Sequence, residues 1–131
     1  MTFFESSVNI SQPIDKVFDF LSDLNNHQQL MPENIYNWSS TTDEAKFTIQ
    51  NMAKLALKVS SRIENKEINI IPTEEAPFAI EMKWTTEKVG DASTAKLVVS
   101  AELNMMMKML ASGPLQKLVE HQTTALQTAL A

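Results

Sequence analysis

The feature that most constrains how this chain can fold is a change of hydrophobic period along it. Between residues 35 and 103 apolar side chains recur at every second position in short segments, whereas the flanking stretches repeat at helical spacing. A period of two belongs to half-buried strands, and a spacing of i, i+3, i+4, i+7 to an amphipathic helix. The alternation predicts strands over residues 35–40, 45–50, 54–64, 67–72, 78–86 and 94–103, separated by turns at 42–44, 50–53, 65–66, 73–77 and Gly90-Asp91. The segment 54–64 also fits a helix with Lys54, Lys58, Arg62 and Lys66 on one face, but Leu55, Leu57, Val59, Ser61 and Ile63 alternate cleanly and the neighbouring segments are strands. We read it as a strand whose basic residues form a solvated outer stripe.

Ahead of this region, Phe4, Ser6, Val8 and Ile10 share one face of an opening strand. Ser11-Gln12-Pro13 then supplies a capping residue and a proline suited to a first helical turn, with Asp15 near the positive end of the helix dipole. Ile14, Val17, Phe18, Leu21 and Leu24 carry the helical stripe, Asn25-Asn26 ends it, and one or two further turns fit before Pro32. After Leu103 the helical period returns. Leu115, Leu118, Val119, Gln122, Ala125, Leu126 and Ala129 form one stripe of a long last helix, in which Gly113-Pro114 predicts a kink.

Composition excludes several functions. With 131 residues, 44% hydrophobic and 21% charged, the chain suits one domain over 1–131. A net charge of −5 has the wrong sign for embracing nucleic acid. Gly90 and Gly113 are the only glycines, so neither a dinucleotide-binding glycine motif nor a phosphate-binding loop can be written. Without cysteine there is no thiolate nucleophile or Cys-ligated zinc. Polar residues interrupt every apolar run short of the roughly 18 residues of a spanning helix, and residues 1–10 lack the features of a signal peptide. The expected location is the cytoplasm, with no integral membrane segment.

The order strand, two short helices, six antiparallel strands and a long terminal helix is that of an α+β helix-grip fold, a curved sheet of about seven strands wrapped around the C-terminal helix. VNISQPIDKVFDFLSDLNNHQQLMP at 8–32 and SGPLQKLVEHQTTALQTAL at 112–130 carry the likeness. The chain resembles the START-like (SRPBCC) superfamily, which includes pollen allergens, polyketide cyclases, coenzyme Q-binding proteins and co-chaperone domains. The resemblance implies a cavity between sheet and last helix suited to an apolar small molecule or lipid.

Candidate residues follow from which side chains would face such a cavity. Gln122 sits centrally on the last helix's stripe, where a buried amide needs partners in the core or on a ligand. His121 borders that stripe at the rim, and Leu118 lies within it. Tyr36 could place its hydroxyl inside. Phe78, Met82 and Trp84 share a strand face, and Val99 lies on a similar face of the next strand. Met105, Met106, Met107 and Met109 fall within five positions; core filling leads for these, and a pliable cavity wall or interface at Met106 and Met109 is the alternative. His27, among amides after a short helix, is expected at the surface. The two histidines make no metal-ligand motif, and Asp43-Glu44 and Glu74-Glu75 lie in predicted turns, so no catalytic dyad, metal or cofactor is indicated. The leading expectation is binding of an apolar ligand or lipid. The alternatives are a cyclase- or dehydratase-like enzyme using His121 or Tyr36 as base, and a ligand-free interaction module, with a homodimer left open.

Overall fold

The period-two segments form one antiparallel sheet. The computed structural model describes residues 1–50, 53–73 and 79–131. Strands β1 (Thr2–Ile10), β2 (Ile35–Ser40), β3 (Glu44–Ile49), β4 (Ala53–Ile63), β5 (Glu67–Pro72), β6 (Ile80–Val89) and β7 (Ala92–Ala101) lie in the order β1-β7-β6-β5-β4-β3-β2. Successive hairpins build β2 to β7, and β1 then pairs with the last strand, Phe4 opposite Val99 and Ser6 opposite Leu97. At Gly90-Asp91 the hairpin turns between Val89 and Ala92, and Gly90 adopts a φ of +61 that favours glycine. Between β1 and β2 come helix α1 (Ile14–Ser22) and a 3₁₀ helix (Leu24–Leu30); helix α2 (Met105–Ala129) ends the chain. This is the helix-grip arrangement that the order of elements implied.

Local chemistry differs from expectation at the helix starts. Pro13, not Ser11, is the N-cap of α1; its carbonyl accepts from the amides of Lys16 and Val17 at 3.1 and 3.3 Å. The helix stops at Ser22 instead of Asn25, because the Asp23 carboxylate accepts from the Asn25 amide at 3.0 Å and starts the 3₁₀ turn. Asn104 caps α2 by accepting from the Met107 amide at 2.9 Å, and Pro114 lies inside that helix, as the reading of one long helix through Gly113-Pro114 expected.

The concave face of the sheet is the core. Rows run across it from strand to strand, such as Phe4, Val99, Met82, Ile70 and Val59, and beside it Ser6, Leu97, Trp84 and Ile68. α1 buries Val17, Phe18 and Leu21. α2 buries Leu115, Leu118, Val119, Gln122, Thr123 and Leu126 and lies against β1 and β7. Three of its side chains fasten it to β1, the end strand of the sheet. Gln116 Nε2 donates to the Glu5 carbonyl at 3.3 Å, Gln127 Nε2 donates to the Asn9 carbonyl at 2.8 Å, and Thr123 meets Ser6 with 2.7 Å between hydroxyl oxygens. No helix among the described residues is long and apolar enough to cross a membrane.

Two bulges reverse which side chains face inward. In β2, residues 37 and 38 oppose Phe47 alone, and Asn37 has a φ of +57. Ile35 and Trp38 therefore face the core, and Tyr36 lies outside, opposite Thr48. Trp38 stacks on Phe47 at 5.3 Å and donates from Nε1 to Ser40 Oγ at 2.9 Å. In β4, Ser60 is the extra residue between Val59 and Ser61. It puts Arg62 opposite Ile68, on the concave side, and so corrects its place in the outer basic stripe. Lys54, Lys58 and Lys66 remain exposed, but Arg62 donates to the Ser22 carbonyl and the Asp43 carboxylate, both at 2.7 Å, and to the Thr42 carbonyl at 3.3 Å.

His27 is also corrected: it is buried, not on the surface. A 3₁₀ helix has three residues per turn, so Leu24, His27 and Leu30 stack on one side, all three buried. The imidazole Nε2–H donates to the Leu21 carbonyl at 2.8 Å, and the ring meets Trp84 edge to face at 6.3 Å. Burial pushes its pKa below the ordinary imidazole value, against the opposing pull of the Leu21 hydrogen bond and of Asp23. The neutral form is favoured in the folded chain, so the unfolded chain takes up the proton first on acidification. This contribution to stability is complete above about pH 6.5 and shrinks as the pH falls below it, by at most about 1.4 kcal/mol per pH unit. Urea unfolding midpoints should fall more steeply between about pH 7 and pH 5 for the native chain than for His27→Gln. Equal slopes would show that His27 gives up no stability on protonation.

Candidate functional site

The surface of α2 that faces the segment after the 3₁₀ helix forms a groove. Pro114, Lys117, Leu118 and His121 line one side and Pro32 and Asn34 the other, around an open volume of about 430 Å³. The spacing explains the helix side: positions i, i+3, i+4 and i+7 fall on one face. Leu118, the member nearest the core, is buried, and Lys117 and His121 stand at the rim. The opposite wall is fixed by backbone bonds. The Ile35 amide donates to the Pro32 carbonyl at 3.0 Å, and the Gln50 amide donates to the Asn34 carbonyl at 2.8 Å.

One residue further along α2, Gln122 is 0% exposed, and neither its Oε1 nor its Nε2 has a hydrogen-bond partner among the described residues. Buried amides are ordinarily paired, and leaving one unpaired costs about 1 to 3 kcal/mol. Gln116 and Gln127 on the same helix both reach β1 carbonyls. Gln122 is set apart by having no such carbonyl within reach. Trp84 Nε1, also buried, is likewise without a partner among the described residues.

Beneath the 3₁₀ helix, Leu24, His27, Met31, Trp38, Phe47 and Met82 surround a space of only about 10 Å³. That is room for roughly one water, far below the roughly 300 Å³ at which ligand pockets begin. The described side chains fill this part of the concave face.

The candidate residues from the sequence therefore separate. Leu118 and His121 meet in the groove, with Gln122 beside them in the core. Met82, Trp84 and Val99 are buried on the concave face, Trp84 and Val99 in neighbouring rows. Tyr36 is exposed on the other face, parted from Trp38 by the Asn37 bulge. Met105, Met106 and Met109 are 82%, 71% and 83% exposed, so they do not fill the core as the sequence reading favoured; Met107 alone of the four packs against it. Phe78 lies outside the described residues. Sequence reasoning passed over Lys117, Pro114, Pro32 and Asn34 in the groove, although the spacing of Pro114, Lys117 and His121 was readable on the helix.

The geometry defines a class: a START-like helix-grip fold with an open groove beside its long helix. No protein-family model matches the chain, and no curated protein matches it in sequence. Solved structures do match in fold. A START superfamily protein from Mycobacterium smegmatis is 18% identical with a TM-score of 0.70, covering 98% of this chain and 96% of its own. A protein from Thermus thermophilus is 15% identical with a TM-score of 0.80 over 98% and 97%. The Aha1 dimer from Colwellia psychrerythraea is 17% identical with a TM-score of 0.72 over 99% and 96%. At these identities the likeness is one of fold.

The exposure of the methionines generates a stability test. Met106→Ala and Met109→Ala should each change the unfolding free energy by no more than about 0.5 kcal/mol, as for other surface sites. Met82→Ala, inside the core, should cost about 2 to 5 kcal/mol. Urea denaturation of the three variants checks this, and a core-sized loss at Met109 would mean that α2 packs differently there.

Proposed function

We propose that this chain binds a small, largely apolar ligand or lipid between the sheet and α2, admitted at the groove of Pro32, Pro114 and Leu118 and oriented by Gln122. The observation that carries this reading is the fully buried Gln122 amide without a partner among the described residues. Leucine is of similar size and would be more stable in a filled core, so an amide kept there at a cost of stability is suited to a ligand's polar group. The groove's volume lies within the range of small-molecule sites, and most of its helix wall is apolar or amphipathic. Because the space under the 3₁₀ helix is small, a ligand entering deeper must displace side chains there. Met31 and Met82 border it, and unbranched methionine repacks readily. The START superfamily relative and the shared fold support binding over catalysis, since Lys117 and His121 are the titratable side chains that line the groove and no carboxylate stands beside either of them there.

A second reading is carried by Met105 and Met109. These exposed side chains project away from the groove and suit an interface with another copy of the chain, as the dimeric state of the Aha1 relative suggests.

The test is Gln122→Leu. Its melting temperature should rise or stay unchanged, while binding of 1-dodecanol, whose hydroxyl needs a buried partner, weakens by about 1 to 3 kcal/mol. Calorimetry and equilibrium dialysis measure the two effects. A clear loss of thermal stability with dodecanol binding intact would mean that Gln122 serves the protein's own core.

A further inference from the structure

We infer that the groove takes a single-chain amphiphile with an anionic headgroup, of the fatty acid kind, and that Lys117 and His121 hold the head. This rests on the reading of the groove as the ligand site. Its polar lining residues are Asn34, Lys117 and His121, with no carboxylate among them. In a chain of net charge −5 such a site is a local exception. The neighbouring acids Glu33 and Glu120 do not line it. Lys117 and His121 are one helical turn apart, so both can reach a single carboxylate placed between them. Neither has a salt-bridge partner among the described residues, whereas Lys83, Lys96 and Arg62 do.

The track for the tail follows from helix geometry. At about 100° per residue, Met106 and Leu110 project on the same side of α2 as Pro114, Lys117 and His121. They are 71% and 72% exposed, so an apolar strip runs on from the groove toward the start of the helix. From Met106 to Lys117 the rise is about 16 Å, comparable with an extended acyl chain of moderate length. Met109 points away from this strip by roughly a third of a turn and takes no part. A strip with a cationic group at one end matches an amphiphile charged at one end only. Two lysine or histidine side chains are too few for a bilayer surface, where each basic residue contributes little and the acidic remainder of the chain is repelled.

Laurate and 1-dodecanol share a chain length and differ in headgroup charge, so their comparison tests the inference. By equilibrium dialysis, laurate should bind roughly tenfold more tightly than dodecanol, and the difference should narrow at high salt. Lys117→Gln and His121→Gln, both at exposed positions, should each reduce laurate affinity toward that of dodecanol and leave dodecanol unchanged. Leu110→Ser should weaken both ligands together. Equal affinities for the two ligands, or a preference for laurate that survives both headgroup variants, would overturn the inference and leave the groove as a site for neutral ligands. Failure to bind either ligand would overturn the groove reading itself. Cosedimentation with anionic phospholipid vesicles in the absence of laurate binding would also overturn the inference, in favour of a membrane surface.

Discussion

The proposed site, like much of the core, depends on how α2 is seated against β1. The strand is at the end of the sheet and pairs on one side with β7, so its other side would present unpaired backbone groups. Gln116 and Gln127 satisfy two of its carbonyls, and Thr123 meets Ser6 on the concave face. Thr123 Oγ1 lies 3.1 Å from both the Val119 and Glu120 carbonyls, and its proton serves them while the oxygen accepts from Ser6. These bonds are individually modest, about 1 kcal/mol each. Their combined effect is positional. They fix the rotation of α2 about its own axis, which decides that Gln122 points inward and that Lys117 and His121 stand at the rim.

The two bulges decide in the same way what the sheet offers to the interior. A shift of one residue moves every following side chain to the opposite face. At Asn37 this parts Trp38 from Tyr36: Tyr36, before the bulge, stays outside by alternation with Ile35, and Trp38, after it, comes in, where the indole stacks on Phe47. At Ser60 it turns Arg62 inward, where it ties the end of α1 to the β2–β3 turn through Ser22, Thr42 and Asp43. The small volume under the 3₁₀ helix follows in part from the first bulge, since Trp38, Phe47 and His27 all border it.

The architecture was legible because it rests on periodicity. Strands Ile35–Ser40 and Glu67–Pro72 have the bounds that alternation predicts, and the ambiguous basic segment is a strand, as its neighbours required. What alternation cannot report is a change of parity inside a strand. Tyr36 and Arg62 were misplaced for that one reason, and only Asn37, a residue type that tolerates positive φ, gave a hint. The burial of His27 is hidden from a 3.6-residue period because it follows the three-residue period of a 3₁₀ helix, which Leu24, His27 and Leu30 share. The methionines failed differently. Their hydrophobicity suggested burial, but the stripe from Leu115 to Leu126, extended backward at about 100° per residue, already places Met106 opposite the core and Met109 about a third of a turn off it, whereas Met105 falls in line with the buried Thr123 and is exposed all the same.

Gln122 and the groove illustrate how stability and recognition diverge within one helix turn. Leu118, Val119 and Leu126 stabilise the fold by burying apolar surface, and nothing about them requires a ligand. Gln122, among them, reduces that stabilisation by leaving a donor and an acceptor without partners among the described residues. On the rim, Lys117 and His121 contribute little to folding, because exposed polar side chains are solvated in either state. A helix selected for packing alone would have leucine at 122 and unrelated polar residues at 117 and 121. The proposed ligand accounts for both features: its polar end would lie between the amide inside and the two side chains at the adjoining edge, and its apolar chain would run past Pro114 toward Leu110 and Met106.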